Sequence, residues 1–331
     1  MPSATALAPS SAAAANRQRR RDKRDVHGWL VLDKPIGMTS THAVSVVKRL
    51  LQARRVGHAG TLDPLASGCL PIALGEATKT VAFVMEGRKV YQFTVRWGEE
   101  RDTDDAEGQV VATAAARPAP EAIRAELPHF TGTIAQVPPR FSAIKIEGER
   151  AYDLARDGEF VELAPRSVEI YRLELTATPD PDHALLVAEC GKGTYVRSLA
   201  RDLGRALGCL GHVCALRRTA VGPFQAADAI GLDQLAAAAA EGGAALASLL
   251  RPVAVGLHGL PALSVSRAEA ARLTRGQAVL LRGRDAPVVN GLVAVSTHGS
   301  LIALADAGQG ELRPRRVFNT ATGIPPKGQQ S

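Results

Sequence analysis

Between Arg55 and Gly68 the chain reads Arg-Val-Gly-His-Ala-Gly-Thr-Leu-Asp-Pro-Leu-Ala-Ser-Gly. Gly57, Gly60, Pro64 and Gly68 impose an irregular backbone that presents one imidazole, His58, and one carboxylate, Asp63. Loops of this kind on a rigid scaffold are where reactive groups concentrate. Asp63 directly before Pro64 equally suits a turn-forming residue whose side chain bonds its own backbone. The loop alone leaves both readings open.

Two further side chains have the chemistry to work with a carboxylate. Arg197, in Gly193-Thr194-Tyr195-Val196-Arg197-Ser198-Leu199, carries a planar fork able to hold a carboxylate and keep it charged. It also fits a solvent-facing row with Arg201 and Arg205 at helical i, i+4 spacing. Tyr91 shares the apolar face of a strictly alternating run, Lys89 to Trp97, with Phe93, Val95 and Trp97. A core tyrosine would look the same. Asp102, Asp104, Asp105 and Glu107 fail the calcium-loop pattern, because Gly108 falls seventh rather than sixth from Asp102. A solvated acidic loop is expected there. Cys209, His212 and Cys214 lack a second ligand pair at zinc spacing, so no metal site is expected.

The Arg55–Gly68 loop resembles the G-H-x-G-x-L-D-P motif of the tRNA pseudouridine-55 synthases, the TruB family. Other segments resemble the same family in the same order. Trp29-Leu30-Val31-Leu32-Asp33-Lys34-Pro35 with Gly37-Met38-Thr39-Ser40 is similar to its opening motif, and Lys89-Val90-Tyr91 to its K-x-Y strand. Phe141-Ser142-Ala143-Ile144-Lys145 with Arg150-Ala151-Tyr152 is similar to its S-A-x-K segment. Gly193 to Leu199 is similar to its arginine motif, and Leu216-Arg217-Arg218-Thr219 closes the series. The resemblance runs over residues 27–225. Phe141 departs from it, standing where the family often has tyrosine.

The resemblance implies isomerisation of uridine-55 in the T loop of tRNA, with Asp63 as the essential carboxylate. Such a carboxylate can attack the sugar, attack the base or deprotonate the sugar to a glycal, and the sequence does not choose. Each route needs it ionised, and a buried carboxylate stays ionised only beside a cation. Arg197 is the expected partner. The resemblance further implies that the Tyr91 ring stacks on the base while its hydroxyl assists proton removal. Tyr195 and Leu216 are then walls of the uridine pocket, Lys34 a substrate contact, and His58 the filler of the gap left by a flipped base. No cofactor is implied, since no electrons are exchanged overall.

Elements must position these groups. Gly28 to Asp33 reads as a strand. Ser40 or Thr41 is expected to cap a helix carrying Val44, Val47, Leu50 and Leu51. Ala77 to Met85 reads as helix, Ala184 to Cys190 as strand, Gly191 to Gly193 as turn, and Thr194 to Leu207 as a helix stopped by Gly208. Residues 231–257 are Ala-rich helices. Ser266 with Glu269 is a capping box, followed by strand candidates at 277–281, 290–296, 301–305 and 311–317. The mixture lacks a βαβ rhythm. It predicts an α+β fold: a mixed, largely antiparallel catalytic sheet flanked by helices, and a small appended β-barrel domain. Leu312 to Asn319 resembles the closing strand of the PUA-like RNA-binding domain of these enzymes. The expected units are a disordered basic tail 1–26, a catalytic domain 27–257, a PUA-like domain 258–318 and a tail 319–331.

Length, 331 residues, allows about two domains. A composition of 46% hydrophobic and 22% charged residues excludes a wholly disordered chain, and no apolar run is long enough to span a membrane. Four cysteines do not make a disulfide scaffold. The net charge of +7 sits at the ends: residues 1–26 are net +4, residues 258–318 net +4, and residues 27–257 net −2. Basic ends suit a polyanion partner or a merely solubilising surface. Lys48, Arg49, Arg54 and Arg55, and Lys192, Arg197, Arg201, Arg205, Arg217 and Arg218, form two basic clusters expected to flank the site and meet RNA phosphates. The Arg-rich start lacks the apolar face of a transit peptide, so a cytoplasmic monomer needing no protein partner is expected. Two other readings stay open: a tRNA-binding folding helper with secondary catalysis, and a guide-RNA-dependent pseudouridine synthase.

Overall fold

The computed structural model describes residues 23–142, 145–146, 149–150, 163–281 and 289–319. Most of the N-terminal tail, Ala143-Ile144 and Ala151-Tyr152 of the S-A-x-K segment, and the tail from 320 onward lie outside the described residues. In chain order the first half comprises β1 (Gly28–Lys34), α1 (Ser40–Leu50), β2 (Val56–His58), β3 (Ala66–Leu74), α2 (Val81–Glu86), β4 (Lys89–Trp97), β5 (Glu99–Arg101), β6 (Val110–Thr113), α3 (Pro120–Glu126) and β7 (Gly132–Gln136). A short hairpin of β8 (Lys145–Ile146) and β9 (Glu149–Arg150) precedes β10 (Arg166–Asp180), β11 (His183–Cys190), α4 (Val196–Ala206), β12 (Gly211–Val221) and β13 (Phe224–Gln225). Then come α5 (Leu232–Glu241), α6 (Gly243–Ser248), β14 (Ala262–Ser264), α7 (Arg267–Thr274), β15 (Val279–Leu280), β16 (Gly291–Thr297), β17 (Ser300–Gly308) and β18 (Glu311–Val317).

The main sheet runs β1-β3-β12-β4-β11-β10-β7, with β2 added beside β3 and β13 beside β12. Among its pairs, β3–β12 is parallel and the others are antiparallel. Both faces of the β1 region are buried. Leu30 and Leu32 enter the core shared with α1 and α4, while Trp29 and Val31 enter a second core behind the sheet. That two-sided burial explains why β1 is a continuous apolar run, whereas β4, further along the sheet, alternates. Trp29 stacks at 5.1 Å on Phe224 in the rear core.

A second sheet, β14-β16-β17-β18-β15, with α7 inserted after β14, curls into a half-barrel. Its interior holds Leu273, Val293, Val295, Ala303, Ala305 and Leu312. Its outer residues Leu301, Leu304 and Phe318 join the rear core of the main sheet. Lys79 ties the two together by donating to Val317 O at 2.8 Å. The Ser266–Glu269 capping box forms as expected. The strand β14 was not evident from the sequence, because three residues are too few to show a period.

Local expectations are corrected at three places. The cap of α1 is Thr39, whose hydroxyl accepts from His42 N; Ser40 is the first helical residue and its hydroxyl is engaged elsewhere. The ends of the Arg55–Gly68 segment are not loop but the strands β2 and β3. The order of the fold begins before His27: Arg24 bridges to Ala53 and Val26 is buried in the main core.

Candidate active site

The loop between β2 and β3 owes its shape to donors that reach each carbonyl from Gly60 to Pro64. Arg218 Nη2 donates to Gly60 O at 3.0 Å and Nη1 to Thr61 O at 3.2 Å. Ser40 Oγ donates to Leu62 O at 3.0 Å and accepts from Leu62 N at 2.8 Å. Ala66 N bonds Asp63 O at 3.0 Å, and Gly37 N bonds Pro64 O at 2.8 Å. Five consecutive carbonyls are thereby satisfied without regular structure. Gly68 is obligatory at the loop's end: its φ is +100°, and a Cβ would lie 2.3 Å from Arg218 O.

Opposite Asp63 stands the first turn of α4, and between them opens a cleft of about 290 Å³. Asp63, Tyr91, Tyr195, Arg197, Leu216 and Arg218 line it. Arg197 Nε lies 3.0 Å from Asp63 Oδ2, with side chains 6% and 37% exposed respectively. The expected partner is therefore present, but not as a two-pronged fork. The Nε–H is not aimed for a hydrogen bond, so charge and proximity carry the contact. The other guanidinium nitrogens face away from Asp63: Nη1 bonds Thr103 O at 3.0 Å and pairs with Asp105 Oδ2 at 3.3 Å, while Nη2 bonds Phe141 O at 3.0 Å. Gln136 anchors the start of α4, its amide donating to Tyr195 O at 3.0 Å and accepting from Tyr195 N at 2.8 Å.

Of the residues singled out in the sequence, Asp63, Tyr91, Tyr195, Arg197 and Leu216 meet in this cleft. Lys34 does not. It is fully buried beneath the loop, donating to Met38 O at 2.7 Å, Pro35 O at 2.9 Å and Pro64 O at 3.5 Å. Its ammonium group is directed at these carbonyls, so in this structure it supports the loop. Burial pushes its pKa down to about 8, opposed by Asp63. His58 ends β2 and lies outside the cleft lining, half-buried, with Nδ1 enclosed and unpartnered. Burial and then Arg218 lower its pKa, so the ring is neutral at neutral pH.

Two buried charged residues of the cleft were not singled out as site residues. Arg218 is fully buried and also bonds Cys69 O at 2.9 Å. Lys89 is buried, donates to Met85 O and, at 2.6 Å, to Gly87 O, and burial pushes its pKa down to about 8. Strand alternation held the signal for both: Lys89 shares the inward face of Tyr91, and Arg218 that of Leu216. Burial raises the Tyr91 pKa, partly offset by the nearby Arg218 charge. Its hydroxyl is protonated at neutral pH. Burial likewise raises that of Tyr195.

The acidic segment 99–107 is only partly solvated: Glu107 is exposed, whereas its inner carboxylates meet the arginines. Asp104 and Asp105 are buried. Arg197 pairs with Asp105, Arg201 with Asp104 at 2.7 Å, and Arg205 with Glu100 at 2.5 Å. Arg217 meets Asp33 at 2.9 Å, and Lys192 meets Glu86 at 2.7 Å. The cluster expected to face phosphates is thus largely neutralised within the protein. In the other cluster Arg54 pairs with Asp25 and Arg55 with Glu76. Lys48 and Arg49 are exposed at the end of α1.

Comparison with known proteins bears on this geometry. The family model described as the TruB family pseudouridylate synthase N-terminal domain matches residues 48–196. The tRNA pseudouridylate synthase B C-terminal domain matches 197–258. A tRNA pseudouridine synthase B of Bradyrhizobium diazoefficiens is 70% identical over 305 residues, covering 91% of this chain and 88% of its own. One of Rhizobium meliloti is 56% identical over 310 residues, covering 92% and 99%. A chain in the crystal structure of a Cbf5–Nop10–Gar1 complex superposes with a TM-score of 0.70 at 26% identity, covering 88% of this chain and 85% of its own. With Asp63 and Arg197 paired across a cleft formed by the matched segments, and relatives of this identity spanning nearly its whole length, the chain belongs to the TruB family of pseudouridylate synthases, which are isomerases.

Proposed function

We propose that this chain isomerises uridine-55 in the T loop of tRNA to pseudouridine, with Asp63 as the essential carboxylate. The observation that carries the reading is the Asp63–Arg197 pair in a cleft walled by Tyr91, Tyr195 and Leu216. The bond from N1 of uracil to the ribose C1′ breaks, the base turns, and C5 bonds to C1′; C5 loses a proton and N1 gains one. Atoms and electrons balance without a cofactor. Arg197, 3.0 Å from Asp63, holds the carboxylate that each route requires in the cleft. The protonated Tyr91 hydroxyl, which shares the cleft with Arg218, serves as a relay for the C5 proton while its ring stacks on the base. A cleft near the lower end of the ~300–1,000 Å³ range of small-ligand pockets suits one flipped nucleoside. His58, outside that cleft on the loop's own strand, would fill the stack the base leaves.

In this reading residues 27–257 form the catalytic unit and 258–318 a PUA-like unit that grips the T arm away from the reacting uridine. The chain acts as a cytoplasmic monomer; among the described residues no helix is long and apolar enough to cross a membrane. The likeness to a chain of the Cbf5–Nop10–Gar1 complex keeps a guide-dependent enzyme as the second reading, and the far higher identity to proteins named tRNA pseudouridine synthase B favours the stand-alone one. Purified chain incubated with an unmodified tRNA transcript should place pseudouridine at position 55 without a guide. Asp63→Asn should leave none detectable while tRNA binding persists. Modification by Asp63→Asn above about a tenth of the parent rate would remove Asp63 from the chemistry.

A further inference from the structure

Arg197 faces Asp63 through Nε alone, so the rest of its guanidinium must be held from behind. Two of the groups that hold it, Thr103 O and the Asp105 carboxylate, flank Asp104. Asp104 takes a φ of +61°, a left-handed backbone that is uncommon outside glycine but that Asp and Asn tolerate. Its side chain is tied down by a buried contact. Asp104 Oδ2 accepts from Arg201 Nη1 at 2.7 Å, and both side chains are buried. Arg201 lies one helical turn beyond Arg197 on the same face of α4.

The two arginines bridge the same pair of segments. Arg197 links Thr103 and Asp105 to Phe141; Arg201 links Asp104 to Val137, donating to Val137 O at 2.9 Å. Ser198 Oγ also bonds Val137 O at 2.8 Å. From below, Val213 N bonds Asp104 O at 3.1 Å and Ala106 N bonds Val213 O at 3.0 Å, fixing the turn to β12. Within the turn, Asp105 Oδ1 accepts from Thr103 Oγ1 at 2.6 Å and Glu107 N at 3.0 Å, leaving Oδ2 for Arg197. Gly108 closes the turn, where a Cβ would lie 2.2 Å from Asp102 Oδ1.

We infer that the buried Arg201–Asp104 pair is a positioning device for the Asp63–Arg197 pair, holding the 103–105 turn in its left-handed form so that Arg197 presents Nε to Asp63. The inference rests on the proposed role of that pair in isomerisation. A buried ion pair is on balance a poor stabiliser compared with apolar packing, so its presence here fits a need for geometry. Burial, partly offset by Arg201, raises the Asp104 carboxyl to about 6, which leaves it mostly ionised at neutral pH.

The test is a double-mutant cycle between Arg201 and Arg197, read as single-turnover rate at saturating tRNA, with tRNA Kd and folded fraction measured alongside. Arg201→Gln should lower the rate on the order of 10- to 100-fold, the scale of a small misplacement of a reacting group. It should leave Kd within about twofold and, in the Arg197→Lys background, cause no further loss. Arg201→Lys should recover part of the rate. Should Arg201→Gln fail to fold, Asp104→Asn carries the test: asparagine tolerates the left-handed turn and keeps an oxygen for Arg201 but loses the charge. Losses that multiply in the double variant, a full rate in the single variants, or a loss equal to the unfolded fraction would overturn the inference. Activity in Asp63→Asn would instead overturn the reading beneath it, whatever the cycle returns.

Discussion

Helix α4 and strand β18 both carry three arginines in a short span, and both sets face carboxylates, yet the two regions are physically unlike. On α4, Arg197 and Arg201 are 6% and 8% exposed, and Asp104 and Asp105 are 7% and 4% exposed. On β18, Arg313 pairs with Glu311 and Arg315 with Asp306, but the arginines are 74% and 63% exposed. Arg316, the third, reaches Lys79 O at 3.4 Å. A desolvated pair cannot exchange its partner without leaving a buried charge, so it serves geometry. An exposed pair is worth little and its carboxylate is readily replaced by a phosphate. Counting arginines along the sequence treats these regions alike; exposure separates a positioning apparatus from a candidate RNA surface.

The sharpest way to break that contrast is to remove one arginine from each. Arg197→Met strands Asp105 in the interior and should cost about 3–5 kcal/mol of stability together with activity. Arg313→Met should change stability by no more than about 0.5 kcal/mol. Urea midpoints with matched slopes decide, and comparable losses would erase the distinction. A smaller effect is expected from changing Arg313, Arg315 and Arg316 to Gln together. Affinity for tRNA should fall at both low and physiological salt, and the salt slope should flatten by roughly 0.9 for each phosphate that is no longer neutralised. The rate at saturating tRNA should hold. Unchanged binding isotherms would place RNA elsewhere on the surface. The smallest effect is expected from deleting residues 1–22, which carry net +3 and stop short of the Arg24 bridge and buried Val26. Loose contacts from this arm should weaken binding modestly at low salt and hardly at physiological salt. A loss matching the β18 variant would make the arm an equal partner.

Much of the site was legible because local rules determine it. The glycines and proline of residues 55–68 announced a rigid loop around Asp63, and alternation along β4 put Tyr91 inward. Lys89 shares the inward face of Tyr91 on β4 and Arg218 that of Leu216 on β12; Arg218 was expected to meet RNA phosphates, and only the packing around it shows it buried. Lys34 was expected from the resemblance to touch substrate, and no local rule showed that backbone carbonyls would take its hydrogens. Ser40 was read as a cap because serine favours caps, yet its hydroxyl closes the loop at Leu62, 22 residues away.

By itself the sequence determined the elements with a clear period, the turns that need glycine and the capping box at Ser266, while the groups expected around Asp63 came from the resemblance to a family. Those features depend on residues a few positions apart, where propensity and periodicity act directly. The tertiary structure alone decided which charges are spent within the protein. Arg201 and Asp104 are 97 residues apart in the chain, and no period or propensity links them. They pair because β12 carries the acidic turn against α4, and burial, which removes water as a competitor, turns that meeting into a fixed geometry.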